Sequence, residues 1–208
     1  MKNIFCIVAI ASALSFAASE PKTHDGFFLS FALGMGYQAI HFVADDGDDL
    51  HSLSESGAAT DIDVKIGGRI ANNTLLHLTL AGTTKTGTVG DDDYYGDDDI
   101  KANMSLLGLG VTYYFGGNFF ATGSLGISQF HANNDVRTFE ATVNASANTP
   151  ADVNSGFGFQ VGGGKEWWVS DNWGIGASAA LLFGFANTVY DDSESSLGIT
   201  LRLTATWN

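Results

Sequence analysis

The sequence has little cysteine, little proline and few basic residues, and each shortage excludes a class of protein. Cys6 is the only cysteine, so a disulfide framework or a cysteine-based metal site is excluded. With 9 Lys and Arg against 23 Asp and Glu, the chain has no basic stripe for phosphates, which excludes a nucleic-acid partner. Only 2 prolines and a hydrophobic fraction of 45% are not the composition of a disordered chain.

The chain also lacks an unbroken apolar run of about 18 residues, so no helical membrane span is expected. Its first residues, MKNIFCIVAIASALSFAAS, combine a positive start, a short apolar stretch and small residues at the end. This pattern predicts a secretory signal peptide over residues 1–19, and cleavage after Ala17 or Ser19 fits equally well. Residues 20–208 would then form a single domain without cysteine.

The negative charge is concentrated in a few stretches. Residues 45–57, 90–99, 133–153 and 190–196 together hold 17 acidic residues and one basic residue, Arg137. The rest of the chain is nearly neutral, which indicates a neutral body with acidic loops rather than a uniformly acidic surface.

The dominant hydrophobic period along the chain is two, which predicts β-strands. In GFFLSFALGMGYQA, residues 26–39, bulky side chains alternate with small or polar ones. Eight segments with this pattern are predicted as strands: 26–44, 58–71, 75–89, 100–115, 119–132, 155–169, 173–189 and 196–207.

The connections between these segments alternate in length. After every second segment comes a short turn, NNT at 72–74, GGN at 116–118 and SDN at 170–172, whose residues tolerate tight-turn dihedral angles. The other connections are the long acidic stretches. This alternation predicts an antiparallel up-and-down meander, and eight strands are enough to close it into a barrel.

Three features favour a transmembrane barrel over a soluble lipocalin-like barrel. The less bulky face is rich in glycine, alanine, serine and threonine, which suits a narrow lumen better than a water-facing surface. The segments are longer than the five or six residues of an average strand. Aromatic residues crowd both strand ends, as in the girdles of membrane barrels. The predicted girdle contains Phe27, Tyr113, Trp167, Trp168, Trp173 and Trp207 near the short turns, and Tyr37 and Phe130 near the loops.

With these strands, the signal peptide and the final segment LGITLRLTATWN, the mature chain resembles the small eight-stranded bacterial outer-membrane barrels. That family includes the OmpA membrane domain, OmpX and the opacity-type surface proteins. The resemblance implies an all-β, eight-stranded antiparallel barrel in a Gram-negative outer membrane, with short periplasmic turns and long acidic extracellular loops. It also implies contact with membrane lipid and lipopolysaccharide, and insertion by the barrel assembly machinery. One departure is that Trp207 is penultimate, whereas the family's insertion signal usually ends on an aromatic residue.

On each strand, the positions that alternate with the bulky lipid-facing residues should face inward, and they predict a charged lumen. The predicted inward residues are Asp61, Asp63, Lys65, Arg69, His77, Lys85, Gln160, Glu166 and Arg202. Because an unpaired buried charge is costly, we predict a lumen ion cluster in which Glu166 pairs with Arg69 and Arg202, close to Asp63 and Lys65. The cluster is either a gate or proton path, or a plug that fills the lumen. The plug is favoured because eight strands leave room only for side chains.

The stretch GDDDYYGDDD, residues 90–99, raises the question of a cation site. Clustered carboxylates suit Ca²⁺ or Mg²⁺, and Asp91, Asp93, Asp97 and Asp99 are the candidate ligands. An EF-hand is not supported, since Ala102 stands where a bidentate glutamate belongs. The alternatives are a weak Ca²⁺ or Mg²⁺ site, bridging to lipopolysaccharide phosphates, and a solvated loop that binds nothing. No other cofactor is predicted.

No catalytic arrangement stands out, and we expect a protein that is not an enzyme. No spacing selects a nucleophile and a base among the candidates near the loops, which are His41, His51, His131, Ser52 and Ser128. The longest loop, 133–153, is the best candidate for contact with an unknown surface ligand. The sequence therefore predicts a monomeric envelope protein with a structural or surface-interaction role. The alternatives are a narrow porin-like channel and a lipid-modifying enzyme.

Overall fold

The computed structural model describes residues 22–45, 50–88, 99–132, 154–187 and 193–208. Eight antiparallel strands follow one another around a closed barrel, so the predicted fold class is confirmed. The predicted signal peptide lies outside the described residues. Within the described ranges, no helix is long and apolar enough to cross a membrane. The strands are β1 (Phe27–Asp45), β2 (Leu50–Ala71), β3 (Thr74–Thr88), β4 (Asp99–Tyr114), β5 (Phe119–Ala132), β6 (Asn154–Trp168), β7 (Trp173–Asn187) and β8 (Ser193–Trp207).

The prediction of a loop over 45–57 is wrong in its second half. β2 begins at Leu50, and its first residues pair with the end of β1 as far as Asp45. The segment LHSLSESG, residues 50–57, is rich in serine and has no apolar face, so its alternation does not show as a hydrophobic period. Backbone pairing nevertheless extends this hairpin beyond the apolar belt described below.

Three short turns lie at one end of the barrel, as predicted, and we call this end the short-turn rim. Asn73, Gly117 and Asn118 have positive φ angles of 58°, 78° and 59°. Asparagine and glycine tolerate this left-handed region better than other residues do. The longer connections all start and finish at the opposite end, the long-loop rim.

The pairing of β8 with β1 closes the barrel. It runs from Leu29 opposite Trp207 to Val43 opposite Ser193, nearly the whole length of both strands. In hydrocarbon each unpaired backbone group costs several kcal/mol, so a sheet without an edge is the form that can cross a bilayer.

The barrel is apolar on the outside, and most of the charged side chains of its apolar-faced strands point inside. Leu201 and Leu203 are 70% and 73% exposed, whereas Arg202 between them is 4% exposed. A soluble barrel would show the reverse. The outward residues of β8 are apolar from Leu197 to Trp207, which matches the roughly 9–11 tilted residues that span a bilayer. We call the corresponding outward surface of all eight strands the apolar belt.

Candidate functional site: the filled lumen

A buried ion cluster occupies the middle of the lumen. Arg202 contacts two aspartates, with Nε 2.5 Å from Asp61 Oδ1 and Nη1 2.8 Å from Asp63 Oδ2. Lys65 pairs with the other oxygen of Asp63, and Gln160 Nε2 donates to Asp63 Oδ2 at 2.7 Å. Two acids therefore neutralise two bases, and we call these five residues the lumen ion cluster.

Strand geometry explains how the sequence assembles this cluster. Asp61, Asp63 and Lys65 alternate along β2, so their side chains share the inner face. Gly34 is the register partner of both Asp61 on β2 and Arg202 on β8. A Cβ atom added at Gly34 would lie 2.8 Å from Arg202 Cγ. The glycine therefore leaves the space through which the arginine side chain reaches Asp61.

The predicted pairing of Glu166 with Arg69 and Arg202 is wrong. Tyr114 Oη donates to Glu166 Oε2 at 3.0 Å and Thr206 Oγ1 donates to Oε1 at 2.7 Å. Arg69 is exposed at the end of β2, where a register shift between Arg69 and Ala71 interrupts the regular pairing. Counting residues from the rim also ignores the stagger between neighbouring strands of a barrel, and that stagger brings Arg202 level with Asp61.

A hydroxyl network surrounds His77, which the sequence correctly places inside. Its Nδ1 lies 3.0 Å from Thr79 Oγ1 and its Nε2 lies 3.0 Å from Thr112 Oγ1. Thr79 Oγ1 contacts Ser124 Oγ at 2.8 Å, and Thr112 donates to Thr122 at 2.9 Å. The charged and amide residues of the inner face, on which the sequence prediction rests, do not reveal this network. The inward threonines at alternate positions were the available signal.

An apolar layer fills the lumen on the side of the long loops. Its members are Ala81, Met104, Leu106, Phe130, Leu182 and Ala186, all buried. On β7, Leu182 is nearer the long-loop rim than Ser178, the register partner of Arg202. Phe130 therefore does not belong to the aromatic girdle, which corrects the sequence-based assignment. Phe130 follows Ser128 by two residues on β5, so both side chains face inward.

At the short-turn rim, the imidazole of His24 lies inside the barrel base. It stacks on Tyr114 of β4 with ring centroids 3.4 Å apart and an interplanar angle of 13°, and its centroid is 5.0 Å from that of Trp168 on β6. Trp168 thus contacts His24 on the inner side, and its assignment to the lipid-facing girdle is also corrected. One ring, carried by the segment that precedes β1, therefore contacts the two strands that flank β5 and lies across the base of the barrel.

Backbone hydrogen bonds hold the segment that carries His24 across the base. Lys22 N donates to Asp171 O at 2.7 Å, and Arg69 N donates to Gly26 O at 3.1 Å. The side chain of Asn208 is 1% exposed and interacts with His24. The polar residue after Trp207 therefore turns inward and helps to close the base.

The other predicted girdle residues face outward. At the short-turn rim, Trp173 and Trp207 contact each other edge to face with centroids 5.3 Å apart. The outward exposed residues are Tyr37 at the long-loop end, and Tyr113, Trp167, Trp173 and Trp207 at the short-turn end. Phe27 is half-buried.

We expect the stability of the barrel to fall between about pH 7.5 and about pH 5.5 because of His24. Burial lowers the pKa of His24 below its ordinary value of 6.5, and neighbouring Asn208, Asn118 and Asp25 offset this only in part. The unfolded chain therefore takes up the proton first as the pH falls through 6.5, which favours unfolding.

The test of the His24 effect is urea-induced unfolding in lipid vesicles across this pH range. His24→Gln should cost about 1 kcal/mol at the upper pH through the lost stacking, and should show a shallower pH dependence than the wild type. Equal pH slopes for the two proteins would contradict the assignment.

The acidic candidates for a cation site fall mostly outside the described residues. Asp91, Asp93 and Asp97 lie there, and Asp99 is the first residue of β4, with a side chain outside the described part. Among the side chains that the structure describes, no group of three His, Cys, Asp or Glu residues could hold a metal ion. The Ca²⁺ or Mg²⁺ hypothesis stays a prediction.

The candidate catalytic residues are not brought together in the described part of the chain. Ser128 donates to the backbone oxygens of Phe157 and Phe185 at 2.9 and 3.1 Å. Its hydroxyl therefore faces the lumen and binds the backbone of neighbouring strands. His41 Nδ1 lies 2.7 Å from Ser54 Oγ on the exposed outer face. Ser52 is exposed on β2, and the side chains of His51 and His131 lie outside the described part.

A small cavity remains in the lumen close to the short-turn rim. A cavity of about 20 Å³ lies between Glu166 and the lumen ion cluster, lined among others by Lys65, Arg202, Tyr114 and Thr112. This is room for about one water molecule. Along this part of the barrel the lumen is a packed polar core rather than a pore.

Comparison with known proteins gives solved structures only. No protein-family model matches the chain, and no curated protein matches it. The similar solved structures include the attachment invasion locus protein Ail of Yersinia pestis, at 14% identity and a TM-score of 0.39, covering 86% of this chain and 98% of that one. Outer membrane protein OprG of Pseudomonas aeruginosa matches at 10% identity and a TM-score of 0.44, covering 89% and 98%.

A third similar structure is the outer membrane protease OmpT of Escherichia coli, at 9% identity and a TM-score of 0.48, covering 92% of this chain and 99% of that one. Two of these proteins, the attachment invasion locus protein and the protease, are named for different activities. They do not assign a function to this chain, whose architecture is established by its own strand pairing.

Proposed function

We propose that this chain is a non-conducting outer-membrane barrel that supports the envelope and presents its acidic loops at the cell surface. The observation that carries the proposal is the packed lumen, in which the lumen ion cluster, the apolar layer and the His24 base follow one another along the axis. A barrel built for conduction would need a continuous wet path. Here every described level is filled by side chains.

The charges of the lumen support a structural role for it. Arg202 and Lys65 are paired with Asp61 and Asp63, so neither base is left as an open binding site for an anion. Moving one of these groups aside would leave its partner buried and unpaired, which typically costs about 3–5 kcal/mol. Opening the lumen by rearranging the lumen ion cluster therefore carries a large free-energy cost.

We expect Glu166→Ala to destabilise the barrel without opening a pore. The substitution removes the acceptor of Tyr114 and Thr206, and each buried donor left unsatisfied costs about 1–3 kcal/mol. The lumen ion cluster and the apolar layer remain above it, so ions stay blocked. Planar-bilayer recording should show no defined conductance steps for either protein, and urea unfolding should show the loss of stability.

The matched control for the recordings is Leu106→Gly, which removes a fully buried side chain from the apolar layer and leaves Glu166 in place. It too should remain closed because the lumen ion cluster persists. Defined conductance steps from the wild-type barrel would favour the narrow porin-like channel instead. A large rise on Glu166→Ala would identify the base as a gate.

The surface role is proposed for the loops, and residues 133–153 are the first candidate for partner contact. The rigid barrel holds their ends in place, with β5 ending at Ala132 and β6 beginning at Asn154. A pull-down with the intact barrel and with this segment replaced by a short glycine–serine linker tests the assignment. Loss of the captured ligand with an unchanged fold supports it, and equal capture by the two proteins contradicts it.

The remaining partners are part of the same proposal. They are membrane lipid and lipopolysaccharide around a monomeric barrel, the barrel assembly machinery during insertion, and weak Ca²⁺ or Mg²⁺ binding by the aspartate-rich loop. Calorimetry with either cation tests the last of these. An enzymatic role is the competing proposal, and an altered lipid A mass spectrum after deletion of the gene would support it.

A further inference from the structure

One lysine faces the lipid within the apolar belt. On β6 the inward side chains Gln160 and Glu166 are buried, whereas Val161 and Trp167 are exposed. Lys165 has the parity of the second pair and therefore points outward, one pleat above Trp167. Among the described outward positions of the belt, it is the single charged residue.

Aromatic rings hold this lysine from one side. Its Nζ atom lies 4.4 Å from the centroid of Phe119 and 5.8 Å from that of Trp167. Phe119 is the register partner on β5, and the partner on β7 is Ala177, whose side chain is a methyl group. The ammonium group thus lies beside two aromatic rings, and its neighbour on β7 offers it no polar side chain.

The charge of Lys165 has no anion to pair with in the described part of the barrel. The ion pairs of Asp61, Asp63 and Glu55 with their basic partners lie inside the lumen and do not include Lys165. A lysine at the edge of hydrocarbon extends its apolar stem toward the interface, where its head reaches polar groups. At the depth of the aromatic girdle, those groups are lipid headgroups.

We propose that Lys165, with Phe119 and Trp167, binds the phosphate of an anionic phospholipid in the leaflet at the short-turn rim. Charge complementarity identifies the partner. The described lipid-facing side chains near the long-loop rim include Tyr37, His41 and Ser54 but no lysine or arginine. A phospholipid phosphate at the short-turn end therefore meets a cation that lies beside aromatic rings.

This inference rests on the transmembrane placement of the barrel and names one of its lipid partners. It is separate from the blocked lumen and from the loops. If Lys165 binds no phospholipid, the expected results of the conductance and pull-down experiments stay the same. If those experiments contradict the proposed function, the lipid-binding result expected for Lys165 stays the same.

The test is native mass spectrometry of the barrel taken from vesicles that contain equal amounts of phosphatidylglycerol and phosphatidylcholine. The intact barrel should retain phosphatidylglycerol about fivefold over phosphatidylcholine, the preference expected of one basic side chain near an anionic surface. Lys165→Met keeps the apolar stem and should reduce the ratio to about one. High salt should weaken the preference of the intact barrel.

The matched control is Arg69→Met, which removes another cation at the same rim that is exposed. This variant should keep the preference. Equal ratios for Lys165→Met and the intact barrel would overturn the proposal, as would equal loss in the two variants. Displacement of phosphatidylglycerol by an equal amount of lipopolysaccharide would also overturn it. Unboiled gel mobility shows in each case that the barrel is folded.

Discussion

Replacing Asp63 by alanine is expected to lower the free energy of unfolding by about 3–5 kcal/mol, a loss typical of breaking a buried ion pair by removing one partner. Asp63 is fully buried and accepts hydrogen bonds from Lys65, Gln160 and Arg202. Without it, two bases face a single remaining acid, Asp61. Reversible urea unfolding in lipid vesicles measures the loss.

Two further variants serve as controls for Asp63→Ala. Asp63→Asn keeps the size of the side chain and an acceptor for Gln160, so the difference in unfolding free energy between Asp63→Ala and Asp63→Asn isolates the packing contribution. Glu55→Ala removes the acid that pairs with Lys85 at 2.6 Å, but Glu55 has a side chain 15% exposed. It should cost less than Asp63→Ala, because Glu55 pairs with the single base Lys85, whereas Asp63 pairs with both Lys65 and Arg202. A loss below about 1 kcal/mol for Asp63→Ala would place the lumen ion cluster outside the stabilising core.

The fold was predictable from the sequence because a membrane barrel places its strongest signal on the outside. Along β1, the positions of Phe31, Leu33 and Met35 alternate with Ala32 and Gly34, and hydrocarbon requires that alternation on every strand. Short turns of Asn, Gly and Asp residues, alternating with long connections, gave the up-and-down order of the strands. These constraints act within one strand or one turn, so a single sequence displays them.

The partners inside the lumen were not predictable in the same way. Parity correctly placed Asp63, Glu166 and Arg202 inside, but it does not say which of them meet. That choice depends on the stagger between strands, which is a property of the closed barrel. The interruption of β2 near Arg69 and the inward turn of His24 are also produced by tertiary contacts. The functional candidates in the acidic loops have no periodic pattern, so the sequence gives their composition but not their arrangement.

The packed lumen and the closed base together stiffen the barrel that carries the long loops. A sheet without an edge still bends if its interior is soft, whereas closely packed interiors resist deformation. The lumen ion cluster, the His77 network and the stacked His24 each join side chains from different strands. The ends of the long loops are therefore held at fixed separations, which suits a surface protein that has to present a binding segment.

Replacing Leu201 by arginine is expected to destabilise the barrel in a bilayer by about 2–4 kcal/mol, the cost of a charge at the midplane on the lipid face. Leu201 is 70% exposed and lies midway along the apolar stretch of β8. In a water-soluble barrel, an arginine at such an exposed position would change stability by no more than about 0.5 kcal/mol. A transmembrane barrel and a water-soluble barrel therefore predict clearly different losses of stability for the same substitution.

The matched control is Ser195→Arg, on the same strand and the same outward face but beyond the apolar belt. Ser195 is opposite His41 in the register, at a level where headgroups and water can receive the charge, so the cost should be at most about 1 kcal/mol. Urea unfolding of both variants in vesicles gives the comparison. A cost that falls steeply from Leu201 to Ser195 maps the edge of the hydrocarbon along β8. Equal small costs at the two positions would mean that the exposed leucines face water, and the transmembrane assignment would then be wrong.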